Sequence, residues 1–456
     1  MRDKSLTTNY KVINMAINRK LGQLEQTMEI LNQRAKTWNL VTISRIQGNI
    51  QATVLRQSLD IIQYRHPVLN SHIINSENSY YFQSAVTGKL PLRLVNIVEI
   101  QEWEAVVNAE MNQVIDSSKY LLRVVLVKVL NQPNINYLIT TTHHAITDGL
   151  SSIQLHSEIL TYCQEITEGQ SIPVVNTLEH IPPIEKLLPA WTNSFKNKLS
   201  RIALLLNIAL QKYLNPPKTL KVENYVPISQ RACQIIHRQL SEESSQKFIQ
   251  KCRQENTTVQ SALCATLMLT VSKQINKSYE DYIKVSCLSY IDLRQRLKPR
   301  INAENMTVLA TSLMGFYRIK NNISIWELAR KIKNDLNKKI NQGEIFNMIF
   351  LAKHLINFSL LFPNQVSATI SVSNVGKVNI PRVYGELELE EISFVGSHAL
   401  YAGMFIVHAA TFQEKMTLNF VFSQPAINRQ TMEKIVDDCI SDMMKISSHL
   451  SIIGGA

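Results

Sequence analysis

Leu138-Ile-Thr-Thr-Thr-His143-His144-Ala-Ile-Thr-Asp148-Gly149 is the stretch on which the reading of this chain turns. Its first five residues are leucine or β-branched, the composition of a strand. Two histidines end that run. Four residues beyond His144 comes Asp148-Gly149, which is turn chemistry. Leu150, Ile153, Ile159, Leu160 and Cys163 then recur at the spacing of an amphipathic helix. A strand, a tight turn and a helix are therefore expected, with the histidines at the mouth of the strand. Successive strand side chains face opposite ways, so one histidine can face a cavity while its neighbour faces packing.

Working outward, Leu121 to Leu130 is a second β-rich run, and Asn131-Gln-Pro-Asn134 separates it from the motif strand. The two runs should pair antiparallel. On the N-terminal side, an opening segment at 12–34 (Ile13, Met15, Ala16, Leu21, Leu24, Met28) is partly helical in pattern. Asn39–Ile46 reads as a strand. Val54, Leu55, Leu59 and Ile62 mark a helix that Pro67 ends, since proline disfavours helix at His66. Prolines 173, 182, 183, 189, 216, 217 and 227 mark 170–228 as a crossover. Within it, Phe195, Leu199, Ile202, Leu206, Ala209, Leu210 and Tyr213 share one helical face, and Lys196, Lys198, Arg201 and Lys212 make the helix basic. Such a helix either packs on the body of the protein or docks on a membrane surface or a partner.

The second half offers helices at 241–254, 259–271, 325–340 and 345–358, a strand at 283–290, and a strand running into a turn at Ala368–Gly376. A strand-rich stretch at 384–423 and a last helix at 428–446 follow. The division expected is 1–175, a linker at 176–228, and 229–456.

Composition narrows the class. The 456 residues suggest two or three domains, and the formal charge of +12 implies either solubility alone or an anionic partner. No basic run is interleaved with aromatic residues, which argues against nucleic acid. Cysteines 163, 233, 252, 264, 287 and 439 are scattered without a Cys-x-x-Cys pair, so neither zinc nor a disulfide framework is indicated. Residues 1–8 lack the apolar stretch of a signal peptide, and no stretch reads as a membrane span. A cytoplasmic protein is expected, with peripheral membrane contact through 195–213 as the other reading.

The motif His143-His144-x-x-x-Asp148-Gly149 resembles the signature of the condensation-type acyltransferases. These include nonribosomal-peptide condensation domains, plant acyltransferases, alcohol acetyltransferases and mycobacterial phthiocerol dimycocerosyl transferases. Three further segments resemble the family in the expected order. They are Arg65-His66-Pro67-Val68-Leu69, Ile291-Asp292-Leu293-Arg294 and Ser373-Asn374-Val375-Gly376. The last is closest in look to the alcohol acetyltransferase and mycobacterial branches. The Asp-Phe-Gly-Trp-Gly of the plant branch is missing, as are fused adenylation or carrier modules, so a free-standing enzyme is expected.

The resemblance implies an α/β (α+β) chain of two chloramphenicol-acetyltransferase-like subdomains with the active-site channel between them. It implies an acyl thioester donor, either acyl-CoA or acyl-phosphopantetheine on a carrier protein, as co-substrate, and no other cofactor. The acceptor would be an alcohol, giving an ester. An amine acceptor in a free-standing condensation domain and a catalytically silent docking module are the alternatives. Family precedent makes His144 the general base, a role suited to imidazole at neutral pH. His143 becomes its packing neighbour. Asp148 is expected to turn away from the histidine into a salt bridge with Arg294, leaving the tautomer of His144 to a backbone carbonyl. Gly149 or Asn374 would meet the oxyanion. Ser151 and Ser152 lie inside the helix and lack the strained turn of a nucleophile. Adjacent strand histidines diverge, which disfavours a metal site built on His143, His144 and Asp148.

Overall fold

The computed structural model describes residues 18–448 except 37, 78, 85–87, 170–174, 215, 276–280, 321, 363, 365 and 367. Ile13, Met15, Ala16 and Pro173 lie outside the described residues. The strands are β1 (Asn18–Lys20), β2 (Asn39–Gln47), β3 (Ser71–Ser76), β4 (Ser79–Ser84), β5 (Leu92–Ile97), β6 (Leu122–Val129), β7 (Ile135–His143), β8 (Ala232–Gln239), β9 (Tyr282–Asp292), β10 (Ala310–Lys320), β11 (Ile370–Lys377), β12 (Val383–Tyr384), β13 (Leu387–Gly396), β14 (Ile406–Phe412) and β15 (Lys415–Gln424). The helices are α1 (Gln23–Ala35), α2 (Ala52–Arg65), α3 (Trp103–Asn112), α4 (Gly149–Thr167), α5 (Phe195–Tyr213), α6 (Glu242–Gln254), α7 (Val259–Ile275), α8 (Ile325–Asn341), α9 (Glu344–Leu361) and α10 (Arg429–Ser448).

Two six-stranded sheets carry the molecule, in the orders β12-β13-β2-β7-β6-β5 and β10-β9-β11-β14-β15-β8. A third, small sheet has the order β1-β4-β3. The motif strand β7 sits inside the first sheet, antiparallel to both β2 and β6. Period-two alternation puts its apolar residues on two faces. Leu138, with Leu122, Val124 and Leu126 of β6, joins the core beneath α2 and α4. Tyr137 and Ile139, with Val125 and Val127, face a core shared with α3 and with Cys233, Ile235 and Val421 of the other sheet. Every residue of β7 is buried, in keeping with its run of apolar and β-branched residues from Tyr137 to Thr142.

The linear division at 229 does not describe the sheets. Residues 383–396, from the second half, belong to the first sheet: β13 pairs antiparallel with β2 from Glu388 opposite Gln47 to Gly396 opposite Leu40. Without β13, the apolar strand β2 would present an unpaired edge. The two halves are therefore joined by main-chain hydrogen bonds as well as by side-chain packing.

Two helices are only partly covered by the rest of the chain. Helix α9 is long and apolar enough to cross a membrane by length and composition, with a third of its residues buried. Its first half, including Ile345, Phe346 and Ile349, packs in the core of the second sheet. Helix α5 does not bury the apolar face read from the sequence: Phe195, Leu199, Ile202, Leu206, Leu210 and Tyr213 are exposed, and Ile208 is the buried position. All six cysteines are buried thiols.

Candidate active site

The site forms where β7 ends. His143 is the last strand residue, and His144–Ile146 make a single 3-10 turn before Asp148 caps α4. The turn rotates the two imidazoles apart. His143 is fully buried, and its Nδ1 accepts a hydrogen bond from Ala145 N–H at 3.2 Å. The ring proton is therefore on Nε2, which lies 2.9 Å from Glu29 Oε2 of α1. Glu29 in turn accepts from Ser117 Oγ at 2.9 Å and Gln33 Nε2 at 2.8 Å. Glu29 was not singled out from sequence, because nothing local marks a helix carboxylate as the support of a distant histidine.

His144 is partly exposed. Its Nδ1 is 2.8 Å from the carbonyl oxygen of Thr147. A carbonyl only accepts, so Nδ1 carries the proton and Nε2 keeps its lone pair. The enclosing protein lowers the His144 pKa below its ordinary value. Lost solvation dominates, against the opposing effects of the Thr147 hydrogen bond and the Asp148 charge. The ring is thus held neutral, in one tautomer, with a basic nitrogen facing away from the backbone that orients it.

Asp148 points the other way. Its Oδ1 accepts from Leu150 N–H at 3.2 Å and Ser151 N–H at 3.1 Å, capping α4. Its Oδ2 accepts from Arg294 Nη1 at 2.6 Å and from Leu309 N–H at 3.0 Å. Both Asp148 and Arg294 are buried. Burial by itself would raise the Asp148 pKa, but the Arg294 charge and the hydrogen bonds outweigh it and hold the carboxyl below its ordinary range. The pair is end-on rather than bidentate, because the helix cap already occupies Oδ1. Arg294 Nη1 also reaches Asp292 Oδ1 at 3.0 Å. Asp148 belongs to the first half of the chain, and Arg294 and Leu309 to the second, so the carboxylate ties the halves together beside His144.

Gly149 opens α4. A Cβ there would come within 3.0 Å of the Phe394 ring and of Val375 Cγ1. Its N–H is one of the first-turn donors that lie outside the helix ladder. Val375 belongs to the Ser373–Gly376 segment of β11, so that segment abuts the start of α4. Within it, Asn374 Oδ1 accepts from Gly376 N–H at 2.9 Å, and Gly376 takes φ +77°. With Oδ1 so engaged, the Asn374 amide presents its NH2 donors elsewhere.

His408, on β14, was missed from sequence. It is buried edge-to-face on Phe394, with ring centroids 5.1 Å apart. Its Nε2 accepts from Gly396 N–H at 3.0 Å. Burial, and then the nearby His398 and His144, push its pKa down to about 3. No short motif surrounds it. His66 has a structural place: at the end of α2 its Nε2 meets Glu158 Oε2 of α4 at 2.9 Å. Ser151 Oγ is spent on Asp148, and Ser152 Oγ donates to Gly149 O, so neither hydroxyl is poised as a nucleophile. Two clefts, of about 310 Å³ beside Glu158 and about 460 Å³ beside Lys284, do not border His144.

Comparison with known proteins points to one family. The family model described as "Condensation domain" matches residues 26–282, and "Phthiocerol/phthiodiolone dimycocerosyl transferase C-terminus" matches 229–424. A probable alcohol acetyltransferase of Fusarium pseudograminearum (strain CS3096) is 24% identical over 322 residues, 65% of this chain and 65% of that protein. Trichothecene 15-O-acetyltransferase of Fusarium sporotrichioides has a similar structure, with TM-score 0.75 at 12% identity, over 94% of this chain and 95% of that one. Polyketide synthase associated protein 5 of Mycobacterium tuberculosis gives TM-score 0.66 at 17% identity, over 95% and 99%. The first condensation domain of the calcium-dependent antibiotic synthetase, with a substrate analogue, gives 0.71 at 10% identity, over 95% and 97%. At these identities the structural likeness speaks to the fold.

Proposed function

Because this chain belongs to the condensation-domain family, we propose that it is an acyltransferase carrying an acyl group from a thioester to a hydroxyl acceptor. The observation that carries this reading is the locked tautomer of His144, with Nδ1–H committed to Thr147 O and Nε2 left basic. In the proposed step Nε2 removes the acceptor O–H proton as its oxygen attacks the thioester carbonyl carbon. The C–O bond forms, the C–S bond then breaks, and the proton passes from His144 to the departing thiolate. Positioned general-base help of this kind is worth about 10²–10⁴-fold. The oxyanion is met by the Gly149 N–H or the Asn374 amide. Asp148 does not orient the imidazole, whose Nδ1–H goes to Thr147 O. It holds the turn through Arg294, Leu309 and the helix cap.

The donor is acyl-CoA or an acyl-carrier protein, and the product an ester of lipid or secondary metabolism. The test is incubation of the purified chain with acyl-CoA and acyl-carrier donors and a panel of alcohols and amines, read by mass spectrometry. Ester formation that His144→Ala abolishes supports the reading. Amide formation alone would move the chain to condensation proper, and no product from the wild type would leave the docking-module reading in its place.

A further inference from the structure

Helix α5 carries a surface that the acyl-transfer reading does not use. Phe195, Leu199, Ile202, Leu206, Leu210 and Tyr213 follow one another at intervals of three and four residues, and each is 52% to 75% exposed. The stripe runs the length of a 19-residue helix, about 28 Å at the α-helical rise. The opposite side of α5 holds it to the protein. Ile208 is buried, and Arg201 turns inward, donating to Thr192 O at 2.6 Å and lying over the Phe350 ring at 3.6 Å. Arg201 therefore does not contribute to the outward charge that the sequence pattern suggested.

The charge of the segment that carries the stripe is of one sign. Residues 191–222 contain Lys196, Lys198, Arg201, Lys212, Lys218 and Lys221 and no aspartate or glutamate. Lys196, Lys198, Lys218 and Lys221 are exposed. Exposed Trp191 and Phe195 stand at one end of the stripe and Tyr213 at the other. An apolar line parallel to the helix axis, with exposed lysines in its first turn and just past its end and aromatic rings at both ends, is the arrangement of a helix lying in the plane of a bilayer surface. A second copy of the chain fits the patch poorly, because it would set lysine against lysine with no carboxylate in the segment to pair them.

We propose that the outward face of α5 docks this protein on an anionic lipid surface, with the apolar stripe in the headgroup–acyl boundary and the lysines against lipid phosphates. The test is vesicle co-sedimentation of the full chain, with phosphatidylcholine vesicles and with vesicles that also contain phosphatidylglycerol. Wild type should pellet with the second and less with the first, and salt should weaken the binding. Each lysine near an anionic surface is worth about fivefold in partition. Lys196→Gln with Lys198→Gln should therefore lower binding roughly tenfold or more. Ile202→Glu with Leu206→Glu should abolish it. Both variants alter exposed side chains, so their thermal unfolding and their turnover of a water-soluble thioester should match wild type. Wild type that stays in the supernatant with both vesicles overturns the proposal. So does vesicle binding that survives Ile202→Glu with Leu206→Glu. A wild-type dimer in sedimentation velocity that the same variant dissociates would assign the face to a second copy instead. The vesicle and sedimentation readouts do not depend on catalysis.

Discussion

Asp148→Ala removes five hydrogen bonds at once, from Leu150 N–H, Ser151 N–H, Ser151 Oγ, Arg294 and Leu309 N–H, and the sizes of the main ones can be set from the structure. The α4 cap, from Oδ1 to Leu150 and Ser151, is worth about 1 kcal/mol. The buried Leu309 N–H loses its acceptor, at about 1–3 kcal/mol. Breaking a buried ion pair from one side costs about 3–5 kcal/mol, because the surviving charge is left uncompensated. Here the loss is moderated, since Asp292 stays 3.0 Å from Arg294 and is partly exposed. The terms overlap, and a total of about 4–6 kcal/mol is expected, a large fraction of the stability of an ordinary domain. Asp148→Asn keeps one oxygen, enough for the α4 cap, but turns an NH2 donor towards Leu309 N–H and Arg294 and loses the charge, so its cost should approach that of alanine, about 3–5 kcal/mol. Equilibrium urea unfolding measures both. The pH dependence has a definite sign. The folded pKa of Asp148 is depressed, so its stabilisation is complete above the unfolded carboxyl value of about 3.9 and fades as pH falls towards the folded one. Asp148→Asn should flatten that acid limb. Asp148→Ala unfolding within about 1 kcal/mol of wild type would refute the view that this carboxylate helps tie the halves together.

His144→Ala should behave in the opposite way, losing two or more decades of turnover, on the order expected for a general base, while its urea midpoint stays close to that of wild type. Wild-type turnover in that variant removes the base. The lowered His144 pKa keeps the ring neutral to lower pH, so the acid limb of kcat/KM should have its midpoint below about 6.5. A midpoint above neutrality would contradict the desolvated environment. Gly149→Ala sets a methyl within 3.0 Å of Phe394 and Val375 and should cost about 1–3 kcal/mol in thermal unfolding, with no loss expected only if that wall can give. Intact-mass measurement after mixing with thioester donor alone should show no added acyl group, and a stable adduct would contradict direct transfer.

The local parts of the site were legible in the sequence. β-branched composition marks β7, Asp148-Gly149 marks a turn, and the apolar spacing after it marks α4. Each depends on neighbours a few residues apart, which is what propensity and periodicity report. The resemblance added the pairing of Asp148 with Arg294, two residues 146 apart that no spacing rule connects. What only the tertiary structure decided are contacts over such distances. Glu29 lies beneath His143, His408 of β14 comes into the electrostatic reach of His144, and β13 completes the first sheet from the second half of the chain. Helix α5 shows the same division. Its amphipathic pattern was plain at the level of sequence, but a pattern states only that one face is apolar. Whether that face meets core or surroundings depends on which side the rest of the chain covers, and here Ile208 and Arg201 anchor the helix while the apolar stripe is left outside.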